Sequence, residues 1–105
     1  MIQALKNLFG LGPKVDYAEL AKKGAIILDV RSKGEYSGGH IKGSINISVD
    51  TLNSNLGKLK DKKKTIITCC ASGMRSASAK SILKSNGYTE VHNGGSWSSL
   101  QNKLK

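Results

Sequence analysis

The residues of this chain best suited to chemistry are Cys69-Cys70-Ala71-Ser72-Gly73-Met74-Arg75-Ser76. An apolar, β-branched segment ends there, a run of small residues turns, and a helical pattern begins. In an open α/β sheet, ligands bind at the carboxyl ends of strands. A helix start adds unpaired backbone N–H groups and the positive end of the helix dipole. An anion fits such a place, and a cysteine set there has its thiolate form favoured. Gly73 lets the backbone curl so that several N–H groups converge on one centre, and Arg75 adds a fixed cation. These are the parts needed for a thiolate nucleophile attacking an anionic substrate. Cys70 is the candidate nucleophile, and Ala71, Ser72, Gly73, Met74, Arg75 and Ser76 form the candidate binding loop. Strand alternation turns Cys69 the other way, into the sheet layer, as a small buried hydrophobe. Taken locally, these residues leave sulfur, phosphate and arsenate chemistry equally open.

Such a loop needs a scaffold of alternating strands and helices. Asp16-Tyr17-Ala18-Glu19 is a capping-box pattern that opens a helix running to Lys23 and stopped by Gly24. Residues 25–30 are short and apolar, as in a buried strand. Ser32-Lys33-Gly34-Glu35 is a second capping box, for a helix ending at Gly38-Gly39. Residues 44–48 predict a short strand. Leu52, Leu56 and Leu59 predict an amphipathic helix, and Lys62-Lys63-Lys64 a solvated turn. Residues 65–69 predict a central strand. Residues 76–86 predict a helix with Ala79, Ile82 and Leu83 inward, closed by Gly87. Glu90-Val91-His92 predicts the last strand, and Trp97, Leu100 and Leu104 a C-terminal helix. Strands separated by helices imply a parallel sheet covered on both faces. Ahead of these elements, Ile2, Leu5, Leu8 and Phe9 share one side of a short helical segment, and Gly10-Leu11-Gly12-Pro13 reads as a linker.

Composition bounds the function. With 105 residues, the chain has room for one core. Its net charge of +10 comes from 17 cations against 7 acids. Only Arg31 and Arg75 among those cations are arginines, and aromatics make up 5%. Nucleic-acid readers favour Arg forks and stacking aromatics, so the charge predicts a lysine-rich solvated face and no nucleic-acid partner. No apolar run approaches the ~20 residues of a spanning helix, and the first 13 residues lack the continuous apolar stretch and cleavage site of a signal peptide. No membrane association is expected. Adjacent cysteines cannot staple distant segments, which fits a reducing cytoplasm. His40 and His92 with the cysteine pair make no convincing metal-ligand set, so neither metal nor cofactor is expected.

Four landmarks together resemble the rhodanese-like (thiosulfate sulfurtransferase) family. They are Leu28-Asp29-Val30-Arg31 with Glu35-Tyr36; Gly39-His40-Ile41-Lys42-Gly43-Ser44-Ile45-Asn46-Ile47; Cys70 to Ser76; and Gly87-Tyr88, Val91, Gly94-Gly95 and Trp97. The resemblance implies an α/β, three-layer fold: a five-stranded, mainly parallel sheet with helices on both faces, forming a single domain over residues 14–105. It also implies a cycle in which the Cys70 thiolate takes the outer sulfur of thiosulfate or a persulfide donor and passes it to a thiol or cyanide acceptor. The donor would be a small anion, and an acidic protein is one form the acceptor can take. Counted from Cys70, Arg75 closes the C-x4-R loop of rhodaneses. Counted from Cys69, it closes the C-x5-R pattern of Cys-dependent phosphatases, but Thr68 stands where that signature has His. A phosphatase or arsenate reductase-like enzyme and a non-turnover sulfur-relay or protein-binding module are the alternatives. Arg75 either orients the donor or pairs with a structural carboxylate. Asp29 and Arg31 are secondary site candidates, more naturally framework; His40 and Asn46 would fix the loop between strands, and Trp97 is core or pocket wall. Ala71, Ser72 and Met74 are uncharged where thiosulfate-specialised relatives often carry further cations, which brings in a persulfide or protein-bound donor.

Overall fold

A computed structural model describes residues 15–105; the helical segment expected over residues 1–13 lies outside them. Each element starts and stops for local reasons. Helix α1 (Tyr17–Lys22) begins where the Asp16 carboxylate accepts the Glu19 N–H, and the chain leaves it through Gly24 at φ +98°. Strand β1 (Ile26–Asp29) leads to α2 (Lys33–Ser37), whose capping box is complete: the Ser32 hydroxyl accepts the Glu35 N–H and Glu35 Oε1 accepts the Ser32 N–H. Such a cap stabilises a helix start by about 1 kcal/mol. Strand β2 (Ile45–Asn46), β3 (Ile66–Cys70), α3 (Met74–Ser85), β4 (Val91–Ser96) and α4 (Trp97–Lys103) follow.

The sheet is parallel throughout, in the order β2-β1-β3-β4. It has four strands among the described residues, where five were expected. Alternation along β1 and β3 divides the core in two. Leu28, Ile66 and Cys70 pack with Leu52, Leu59, Ala79 and Leu83 on one face, while Ile27, Ile67 and Cys69 pack with Leu100, Trp97, Tyr17 and Leu20 on the other. Helix α3 therefore covers one face, α1 and α4 the other, and the three-layer α/β architecture stands. Burying each such Leu or Ile contributes roughly 1.5–3 kcal/mol.

Several boundaries differ from expectation, and those around the loop after Cys70 matter most. The Leu52–Leu59 region forms two short 3-10 helices, Val49–Ser54 and Leu56–Lys58, in place of one α-helix. Its Ser48 and Asn55 side chains bond to nearby backbone, which competes with α-helical pairing. Strand β3 runs one residue further, so Cys70 is its last residue. Helix α3 starts two residues earlier, at Met74, so only residues 71–73 turn between strand and helix. Strand β4 continues through Gly94-Gly95, against the usual depletion of glycine in strands. A Cβ on Gly94 would lie 2.8 Å from the Thr68 carbonyl oxygen and 2.9 Å from the Leu100 side chain, so the strand can lie there only without one. No described helix is long and apolar enough to cross a membrane.

Candidate functional site

Cys70 ends the central part of the sheet, and the chain turns immediately into α3 through Gly73 at φ +103°, a left-handed conformation that suits glycine. That turn brings two backbone donors onto one sulfur. The Gly73 N–H donates to Cys70 Sγ at 2.9 Å and the Ser76 N–H at 3.3 Å. Donors aimed at a sulfur, at the positive end of a 12-residue helix, stabilise negative charge on it. Cys70 is buried, and the Ala71, Ser72 and Met74 that follow it on the turn are exposed.

Cys69 has the opposite environment. It lies fully buried in the core on the other face of the sheet. Burial pushes its thiol up to about 12, the nearby Asp29 charge adds to the rise, and Arg31 offsets part of it. A thiol held that way is neutral and inert across the physiological range. Both cysteines are free.

Next to the turn lies a polar cluster centred on Asn93, a residue that no sequence motif singles out. The Ser76 hydroxyl donates to Asn93 Oδ1 at 2.6 Å, and the same oxygen accepts the Gly95 N–H at 2.9 Å. The Thr68 and Ser76 hydroxyl oxygens lie 2.7 Å apart, and the Tyr17 hydroxyl donates to the Asn93 carbonyl. The ladder between β3 and β4 shifts register here, from Thr68 opposite Asn93 to Cys70 opposite Ser96. Such irregularities re-aim side chains beside functional sites. The available signal in sequence was a polar residue inserted directly before Gly-Gly at a strand's carboxyl end.

The charged candidates are distributed between two pairs. Asp29 accepts Arg31 Nη2 at 2.7 Å and Nε at 3.0 Å, both side chains being buried. Arg31 also donates to the Gly39 and Glu35 carbonyls and stacks over Trp97 at 4.8 Å. Each nitrogen of that guanidinium is thus bonded to framework, and one of its faces lies over an aromatic ring. Arg75, in the first turn of α3, makes a two-pronged pair with Glu35, Nη1 to Oε1 at 2.7 Å and Nη2 to Oε2 at 2.9 Å. Glu35 therefore meets Arg75 through its carboxylate and Arg31 only through its carbonyl. The Arg75 bond, then the Ser32 N–H and hydroxyl, holds the Glu35 carboxyl down at about 2, while Arg75 is raised in turn. His40 and Asn46 act on the framework: the ring stacks on Tyr36 with its Nδ1 on the Tyr36 carbonyl, and Asn46 donates to the Asp29 and Arg31 carbonyls. Trp97 also walls Gly39, where a Cβ would lie 3.3 Å from its ring.

The family model for the Rhodanese-like domain matches residues 14–103. Thiosulfate sulfurtransferase PspE of Escherichia coli is 36% identical over 65% of this chain and 66% of its own. The tRNA sulfurtransferase of Thermoplasma acidophilum is 34% identical over 78% of this chain, but only 16% of that protein is covered. The chain thus spans less than two thirds of these relatives' lengths. The human single-domain sulfurtransferase TSTD1 superposes with a TM-score of 0.70 at 29% identity, covering 82% of this chain and 88% of its own.

Proposed function

Because the chain belongs to the rhodanese-like domain family, we propose that it is a sulfurtransferase in which Cys70 carries the sulfur. The observation behind this is the convergence of the Gly73 and Ser76 N–H groups on Cys70 Sγ, with Cys69 turned into the core. The Cys70 thiolate attacks the sulfane sulfur of the donor and forms an S–S bond. The donor's S–S bond breaks, and its electron pair leaves on sulfite or on the donor thiolate. The terminal sulfur of the resulting persulfide carries negative charge, which the preorganised N–H groups at the start of α3 stabilise. An acceptor thiolate then attacks that terminal sulfur, and Cys70 leaves as a thiolate.

Two free cysteines suit a reducing compartment, for which we propose the cytoplasm. The +10 charge suits an acidic acceptor protein. Steady-state transfer from a sulfane donor to cyanide or a small thiol tests the function. Multiple turnover by the wild type and by Cys69→Ser, lost in Cys70→Ser, is expected. Hydrolysis of an aryl phosphate that depends on Cys69, with no sulfur transfer, would replace this function with the phosphatase alternative.

A further inference from the structure

We infer that Glu35 is a specificity-determining residue that cancels the charge of Arg75, so that the Cys70 site favours a persulfide without added negative charge over the thiosulfate dianion. The inference rests on the sulfurtransferase function proposed above and concerns only which donor that site takes.

Arg75 is the sole charged residue between Cys70 and Ser76, and both prongs of its guanidinium are committed to the Glu35 carboxylate. The pair is half exposed, at 38% and 39%, so it sits at the surface of the turn where a donor arrives. The other arginine of the chain is buried and spent on Asp29. Beside Arg75, Met74 is 79% exposed, an apolar side chain offered to solvent on the same turn. An incoming thiosulfate carries two negative charges and meets a neutral pair and a thioether. To engage Arg75 it must first displace a two-pronged carboxylate, the strongest kind of partner for a guanidinium. A persulfide accepts a thiolate in its protonated form, R–S–SH, which carries no charge at the reacting sulfur and has no such requirement. In that transfer the Cys70 thiolate bonds to the outer sulfur, and the R–S bond to it breaks with its electrons. RS⁻ leaves, the proton of the outer sulfur passes to solvent as the new persulfide ionises, and no external oxidant or reductant enters.

Glu35→Gln tests this with little damage, because Gln at the third helical position also completes a capping box. kcat/KM is measured for thiosulfate and for the persulfide of a small thiol lacking carboxylates. Releasing one unit charge at a few ångströms in a water-exposed setting is worth about five- to tenfold. We expect Glu35→Gln to raise kcat/KM for thiosulfate by that factor, mainly through KM, and to leave the uncharged persulfide within about twofold. Adding Arg75→Gln should return thiosulfate to near its wild-type efficiency, which a purely structural role of Glu35 would not produce. Transfer from both donors with no gain for thiosulfate overturns this inference alone, whereas no transfer from either donor overturns the function beneath it. A second measurement does not rely on Glu35→Gln alone. At about 0.15 M salt, where charges are screened beyond about 8 Å, the ratio of Cys70 alkylation by iodoacetate to that by iodoacetamide should be the same, within about twofold, in the wild type and in the double variant Glu35→Gln/Arg75→Gln. A severalfold loss of preference for the anionic reagent in the double variant means that Arg75 is electrostatically free in the wild type, and refutes the inference even if Glu35→Gln alone does not fold.

Discussion

Replacing Asp29 by Ala should cripple stability well before it touches chemistry. The Asp29 carboxylate is fully buried and receives four hydrogen bonds, three from the Arg31 side chain and one from the Arg31 backbone N–H. Arg31 itself is 4% exposed. Its remaining partners, the Gly39 and Glu35 carbonyls and the Trp97 ring, carry no formal charge to balance it. Removing one member of such a pair strands a buried charge and costs about 3–5 kcal/mol, against a typical total of 5–15 kcal/mol. For a domain of this size, each kcal/mol moves Tm by about 4–8 °C, so a fall of at least about 12 °C is expected. Thermal denaturation followed by circular dichroism reads it directly. Adding Arg31→Leu removes the stranded charge and should recover part of the loss. Sulfur transfer, assayed at a temperature where the single variant is folded, should stay within about tenfold of wild type. A Tm within about 4 °C of wild type, coupled to a collapse of turnover, would show that Asp29 and Arg31 contact substrate and that their framework role is wrong.

Other consequences follow from the same geometry. Gly94→Ala places a methyl group against backbone and two side chains at under 3.0 Å, so overpacking should cost about 1–3 kcal/mol or more, measured by urea denaturation. Asn93→Ala leaves the buried Ser76 hydroxyl and the Gly95 N–H without their shared acceptor; a loss of about 1–3 kcal/mol is expected, with a fall in turnover as the Ser76 N–H loses its aim. Cys69 gives a pH signature. Its thiol rises from an ordinary 9.0 to about 12 in the fold, so the unfolded chain gives up that proton first. Its contribution is whole below pH 9.0 and is lost between pH 9.0 and about 12. The Tm difference between wild type and Cys69→Ala should therefore shift against the wild type across that window; a difference independent of pH would mean that Cys69 is not desolvated.

Much of this arrangement was legible in the residues themselves. The N-cap at Asp16 and the full capping box at Ser32 announced their helices because capping is local chemistry, and the alternation of Cys69 and Cys70 placed them on opposite faces of the sheet. Glycine at 73 carried its own geometric reason. The elements misjudged were those set by distant contacts. Residues 52–59 have helical spacing of leucines, yet side chains that bond to backbone broke the run into 3-10 turns. The strand expected over Glu90-Val91-His92 runs on through Gly94-Gly95, where the close approach of the Thr68 carbonyl leaves no room for a Cβ. Arg75 had two candidate roles because its partner Glu35 lies forty residues away, and only the fold brings them together. Asn93 lay hidden for the same reason: its partner Ser76 is 17 residues away.

Intact-mass and peptide mapping after a single exposure to a sulfane donor tests most directly whether Cys70 carries the sulfur. Without acceptor, the wild type and Cys69→Ser should each gain one sulfur atom on the peptide containing position 70, and lose it on adding cyanide or a small thiol. Cys70→Ser should gain none. Sulfur retained in Cys70→Ser and absent from Cys69→Ser would contradict the account, because it would place the nucleophile on the face of the sheet opposite the Gly73 and Ser76 N–H groups.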